Sequence, residues 1–252
     1  MKYLKVEATP HWGLYINYHA FTKSRPALKT IPPTTLIGAL AQPIALKNNW
    51  AENSELNSSA EKIRPLFKGI YLSQNLPLIE YNDLSKIFSY DVDEKQIRTD
   101  AAAVSKIYRG KGSVDDRVKI VYLFEEQEAR KLFGVGWEEM LLEAAWSITR
   151  LGARESIVSV DKVTLGDVDL LNQKTAQTVY YFPYYMQSSV QGSYLVANVV
   201  DWRKTSIGEY LGKPTVNLII PYDDERKRVS PLRVNLMNEI VYRVGDEELI
   251  PW

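Results

Sequence analysis

The sequence predicts an α+β protein with two parts: a ferredoxin-like or RNA-recognition-like palm over residues 1–169, carrying an inserted arm, and an all-β subdomain over 170–252. Three observations carry that expectation. Residues 1–165 read as strand, helix, strand, long basic insertion, strand, helix, strand, which is a βαββαβ order with an arm between the second and third strands. After residue 176, short β-type segments separated by turn residues replace any helical pattern. The chain has 252 residues, 45% hydrophobic and 25% charged, enough to bury most of its apolar surface.

The elements follow in order. Lys2 to Ala8 alternates, with Tyr3, Lys5 and Glu7 on one face and Leu4, Val6 and Ala8 on the other, as a half-buried strand does. Pro32-Pro33-Thr34-Thr35 opens a helix, with proline suited to the first turn and Thr34 able to supply a capping oxygen. Leu36, Ile37, Leu40 and Ile44 form its apolar stripe, and Pro43 is expected to kink or divide it. Asn48 to Glu61 reads as a polar loop, Phe67 to Ser73 as a strand, and residues 74–94 give no clear pattern. Lys119 to Phe124 is the next strand. Trp137, Met140, Leu141, Ala144, Ala145, Ile148 and Leu151 then trace one helical face, with Glu138 and Glu139 in the first turn, Arg150 in the last and Gly152 as the stop. Ile157 to Val163 alternates as a strand. Thr178–Gln187, Tyr194–Val200, Val216–Pro221, Leu232–Leu236 and Ile240–Val244 supply the C-terminal β-segments.

Composition excludes several functions. No cysteine means no disulfide framework, Cys-based zinc site, iron–sulfur cluster or thiol nucleophile. The only histidines are His11 and His19, so no metal or other cofactor is expected. No P-loop, dinucleotide fingerprint or nucleophile elbow is present, and Gly134-Val135-Gly136 reads as a helix-entry turn. Asp115-Asp116 and Asp223-Asp224 read as solvated turns. No apolar run is long enough for a transmembrane helix, and the N-terminus lacks a signal-peptide core, so cytoplasmic residence without membrane contact is expected.

With 31 Lys+Arg against 31 Asp+Glu, the whole surface cannot grip nucleic acid indiscriminately. The charge is unevenly spread, however. Residues 95–111 hold Lys95, Arg98, Lys106, Arg109 and Lys111 against Asp100, and residues 19–31 hold Lys23, Arg25 and Lys29 with no acid. The first stretch, with Tyr108, Gly110 and Gly112, suits a finger that grips a nucleic-acid backbone; a solvated hairpin is the alternative. The second leads into a helix N-terminus, whose free amides favour anions. His19, Tyr18 and Lys23 could run metal-free RNA cleavage as acid, base and cation, or could simply end a strand. Tyr180-Tyr181-Phe182-Pro183-Tyr184-Tyr185 could stack on unpaired bases, with packing the favoured reading.

KYLKVEATPHWG followed by RPALKTIPPTTLIGALAQPIAL resembles the N-terminus of the fifth family of CRISPR-associated proteins, subunits of the type I Cascade surveillance complex. The matching positions are Arg25, Pro32, Pro33, Thr34, Thr35, Leu36, Ile37 and Gly38. Arg150-Leu151-Gly152-Ala153-Arg154-Glu155 resembles the family's glycine loop after the second helix. Ala153 before Arg154 and Pro43 in the first helix depart from the pattern. The likeness is nearest to the archaeal subtype I-A. It implies a RAMP-type palm, a thumb at about 95–118, and a role holding the 5′ handle of crRNA beside the seventh-family backbone subunit and the large subunit. On that reading Arg98, Lys106, Tyr108, Arg109 and Lys111 grip RNA from the thumb. Lys23, Arg25, Thr34 and Thr35 meet it at the first helix, and Arg150 and Arg154 at the glycine loop. In subtype I-C the family instead cleaves precursor RNA with a Tyr, Lys and His group. This sequence has no His after His19, which points to binding without catalysis.

Overall fold

The fold begins with the alternating segment at the N-terminus, β1 (Lys2–Pro10), which lies inside a sheet and pairs on both edges. The structure, a computed structural model, describes residues 1–16, 24–50, 58–110, 112, 116–206 and 212–252. After β1 come β2 (Gly13–Leu14), β3 (Ser24–Arg25), α1 (Pro33–Lys47), α2 (Ser59–Ile63) and β4 (Phe67–Asn75). A long hairpin, β5 (Leu78–Asp91) and β6 (Gln96–Arg109), leads to β7 (Arg117–Phe124), α3 (Glu126–Phe133), α4 (Trp137–Trp146) and β8 (Val158–Asp167). The rest is β9 (Asp169–Asn172), β10 (Thr175–Thr178), β11 (Phe182–Pro183), β12 (Gln187–Gln191), β13 (Tyr194–Val200), β14 (Thr215–Pro221), β15 (Leu232–Leu236), β16 (Ile240–Val244) and β17 (Glu247–Leu249). The molecule therefore mixes α and β but is mostly β. Among the described residues no helix is long and apolar enough to cross a membrane.

Four strands pair antiparallel in the order β4–β7–β1–β8. Leu4, Val6 and Ala8 share a buried core with Ile120, Tyr122 and Phe124 of β7 and with Leu36, Leu40, Trp137 and Leu141 from the helices. Trp137 meets Phe124 edge-on at 5.7 Å, and the Tyr122 hydroxyl donates 2.9 Å to the Leu36 carbonyl, fixing the first turn of α1 on the sheet. The other face of the sheet is not solvated as simple alternation suggests. C-terminal residues Tyr180, Val244 and Leu249 cover it, against Tyr71, Val121 and Leu123. Lys5, Glu7 and Lys119 lie under that cover. Glu247 receives hydrogen bonds from Lys5 (2.6 Å), Lys119 (2.7 Å) and the Tyr180 hydroxyl (2.6 Å). Burial pushes the Glu247 carboxyl up, but those donors outweigh it and hold the group below its ordinary 4.5. Tyr181, Trp202, Leu218 and Tyr222 run into the same apolar cluster as α1 and α4, so the core is continuous across residue 170.

Several elements differ from expectation for local reasons. The helix cap is Pro32, not Thr34, which points into the core at 5% exposure. Pro43 does not divide α1, which runs unbroken to Lys47. The helix read as extending to Leu151 stops at Trp146, where the bonds tighten to i→i−3: Ser147 N–H to the Ala144 carbonyl at 3.2 Å and Ile148 N–H to the Ala145 carbonyl at 3.3 Å. Ile148 and Leu151 stay buried beyond its end and still complete the pattern. Thr178–Gln187 is not one strand: a bend at Val179–Tyr180 and a 3₁₀ turn at Tyr184–Met186 break it, leaving Phe182–Pro183 as the short β11. Its Tyr180, Tyr181 and Phe182 are core, while Tyr184 and Tyr185 are about half exposed.

The hairpin changes the charge argument. The basic stretch is only its second strand; the first is the segment without a pattern, and the register runs from Leu78 opposite Arg109 to Asp91 opposite Gln96. Its two 14-residue strands extend about 45 Å. Across 78–109, Lys86, Lys95, Arg98, Lys106 and Arg109 face Glu80, Asp83, Asp91, Asp93, Glu94 and Asp100, one acid more than base. The arm therefore begins well before residue 95 and is not a basic finger. Leu84, Phe88, Tyr90 and Ile97 lie on one of its faces, each 62–70% exposed.

Candidate nucleic-acid interface

Three segments, at 35–42, 58–60 and 150–152, build one cleft of about 510 Å³. Thr35, Gly38, Ala39 and Gln42 form one wall, Ser58, Ser59 and Ala60 a second, and Arg150 with Gly152 a third. The first four recur at helical spacing, so the apolar stripe that buries Leu36, Ile37, Leu40 and Ile44 turns this face of α1 outward. The third wall is the loop after α4. Leu151 N–H donates to the Ser156 carbonyl at 2.9 Å and Ser156 N–H to the Ala153 carbonyl at 3.0 Å. Gly152 has φ +115°, and a Cβ there would meet Ile16 Cγ1 at 3.0 Å and the Tyr15 carbonyl at 3.3 Å, so only glycine fits.

The chemistry of the cleft is one-sided. Its lining holds hydroxyls, an amide and a guanidinium, and among the described residues no carboxylate. Arg150 is half-buried and makes no ion pair among the described residues. That contrasts with Arg64 on Glu61 at 2.5 Å, and with Arg203, bidentate to Asp201 at 3.0 Å. An unpaired, partly desolvated guanidinium facing only neutral donors suits an anion. Gly38 adds a cradle: a Cβ built there meets nothing within 4 Å, so no packing in this chain requires glycine in mid-helix.

The loop connects the cleft to the hairpin. Tyr15 N–H donates to Ser156 Oγ at 2.9 Å, and the Tyr15 hydroxyl donates to the Tyr108 hydroxyl at 2.9 Å. Tyr108 packs edge-on against Tyr15 and Tyr81, each at 5.9 Å, and Lys106 Nζ lies 5.3 Å over the Tyr15 ring. Burial, then the Tyr108 hydrogen bond, raises the Tyr15 proton affinity, making it a donor and a stacking ring rather than a base. Sequence reasoning missed Tyr15, Tyr81, Gly38 as a cradle, and Gln42. Tyr81 falls in the segment without a pattern, and only the β5–β6 register brings it to Tyr108.

The expected site residues are distributed unevenly. Thr35 and Arg150 meet in the cleft, Lys106 and Tyr108 sit at the hairpin base, and Arg154 is exposed in the glycine loop. Thr34 is buried away from the cleft. Arg98 is bound to Asp91 and Glu94 at 3.0 and 2.5 Å near the hairpin tip. Arg109 is a strut: its guanidinium donates 2.8 Å to the Pro10 carbonyl and lies 3.7 Å from Asp116, which is buried rather than solvated. Lys29 pairs with Asp224 at 3.4 Å. Arg25 lies on β3, whose backbone pairs with β6. Tyr18, His19, Lys23 and Lys111 lie outside the described residues.

No family model matches the chain. Its curated relatives come from Saccharolobus solfataricus. The CRISPR system aCascade subunit Cas5 1 is 26% identical over 186 residues, covering 72% of each chain. The CRISPR-associated protein Cas5 2 is 22% identical over 270 residues, covering 99% of this chain and 95% of that one. Among solved structures, a CRISPR protein from Archaeoglobus fulgidus matches with a TM-score of 0.62 at 19% identity, covering 100% of this chain and 99% of the other. A mostly β fold with a projecting hairpin and a C-terminal β cover is thus shared with a CRISPR protein. The curated relatives are more specific. They carry the Cas5 name, in line with the resemblance of the opening segment and the glycine loop.

Proposed function

We propose that the protein is the subunit of a type I Cascade complex, of the archaeal subtype I-A, that holds the 5′ handle of crRNA without cutting it. The cleft between α1 and the glycine loop is the observation that carries this reading. It brings the two motifs of the resemblance together around Arg150, which makes no ion pair among the described residues, with no carboxylate among the described lining residues to repel a phosphodiester. The order β4–β7–β1–β8 with helices on one face supports a ferredoxin-like, RAMP-type palm, and the hairpin inserted between β4 and β7 is its thumb. The name of one relative, an aCascade subunit, supports the assembly. The exposed apolar face of the thumb suits protein contact with the seventh-family backbone subunit, and the large subunit is the second partner.

In this account Arg150 neutralises phosphate, the hairpin base stacks on bases through Tyr81 and Tyr108, and Lys106 supplies a second positive charge. Titrating handle RNA by fluorescence anisotropy tests it. Arg150→Glu should weaken binding by more than tenfold with the fold intact by circular dichroism, and unchanged affinity would refute the site. Incubation with repeat-containing RNA in EDTA tests the absence of catalysis. A defined cut that disappears in His19→Ala would establish a metal-independent endoribonuclease using His19, Tyr18 and Lys23.

A further inference from the structure

We infer that the α1 cleft reads the ribose 2′-hydroxyl of the nucleotide it holds, and so selects RNA over DNA at that point; this rests on the handle-binding reading and deepens it. No lining side chain is aromatic or large and apolar, so apart from the Arg150 guanidinium, which phosphate engages, the cleft offers no face for stacking a base. What it offers instead are groups that both donate and accept. Among the described residues, the hydroxyls of Thr35 and Ser58 and the amide of Gln42 have no hydrogen-bond partner, although Gln42 and Ser58 are half-buried. Arg150 can only donate and so suits phosphate. Hydroxyls and an amide suit a sugar hydroxyl, which both donates and accepts.

The backbone adds an acceptor. Residue 43 is proline and has no N–H to give to the carbonyl of Ala39, one helical turn back on the cleft wall. That frees a carbonyl to accept from a ligand hydroxyl, while Gln42 can donate to the same ligand oxygen. Pro43, a departure from the resemblance, thus acquires a role. Gly38, one residue before Ala39, leaves the wall without a Cβ, so a sugar can approach the helix backbone closely.

Matched RNA and DNA handle oligonucleotides, together with RNAs carrying a single 2′-deoxy substitution at each position, test this on the purified chain by anisotropy. Wild type should favour RNA, and one or two adjacent 2′-deoxy positions should each weaken binding by about 2- to 12-fold, the range for a single net hydrogen bond. Gln42→Leu and Pro43→Ala, both compatible with a helix, should bring those positions back to parity while leaving the other positions unaffected. Equal binding of RNA and DNA by wild type, or a 2′-deoxy profile unchanged in both variants, would overturn the inference. No binding of either oligonucleotide would sink the handle-binding reading itself.

Discussion

Replacing Gly38 with alanine should make the protein more stable and a poorer RNA binder. Gly38 lies in the interior of α1 (Pro33–Lys47), where glycine costs about 0.5–1 kcal/mol relative to alanine through backbone entropy. An added Cβ meets nothing within 4 Å, so no clash offsets the gain. At about 2–4 °C per kcal/mol for a chain of this size, Tm should rise by about 1–4 °C. The same methyl enters the cleft where a sugar–phosphate approaches the helix. Overpacking costs of about 1–3 kcal/mol correspond to roughly 5- to 150-fold weaker binding. Differential scanning fluorimetry gives the first quantity and anisotropy with handle RNA the second. A fall in Tm would mean that glycine serves packing within the chain. Affinity unchanged within twofold would mean that no ligand approaches this face.

Gly152→Ala should lower stability by about 1–3 kcal/mol, measured by urea unfolding, because alanine is strained at φ +115° and meets Ile16 and the Tyr15 carbonyl. Arg109→Ala should cost stability more than RNA affinity, since it removes the strut to Pro10 and Asp116; a large affinity loss at unchanged Tm would return Arg109 to the RNA surface. Glu247→Gln should destabilise the join between the β4–β7–β1–β8 sheet and its C-terminal cover by about 1–3 kcal/mol at pH 7, read as a lower midpoint in urea. Because the folded Glu247 titrates below its ordinary 4.5, its contribution is present above that value and fades as pH falls through the lower folded value. The gap between wild type and variant should therefore close on acidification, and a constant gap from pH 7 to 3 would contradict the assignment.

Much of the four-stranded sheet and its helices can be read from sequence because those strands and helices each bury one face. Period-2 alternation at Leu4, Val6 and Ala8 and the stripe from Trp137 to Leu151 report that burial directly. The long hairpin is less legible. It projects from the core, so β5 carries no buried periodicity, and its acids hide among residues that no pattern marks; reading one strand alone made a nearly neutral hairpin look basic. The cleft falls in between. Arg150, Gly152 and Thr35 stood out as motif residues, but that they face one another is a matter of topology: Gly152 must dock on Ile16 and Tyr15 before the loop can reach α1. Gln42 and Gly38 carried no local signal of function, since a polar residue and a glycine on the outer face of a helix look like ordinary solvent exposure.

Photo-crosslinking of the full chain to handle RNA carrying 4-thiouridine, with mass spectrometry of the joined peptides, tests the central claim most directly. The account predicts crosslinks to the segments at 35–42 and 150–154, with flanking nucleotides reaching Tyr81 or Tyr108. Crosslinks confined to the C-terminal strands, with those segments unlabelled, would contradict it.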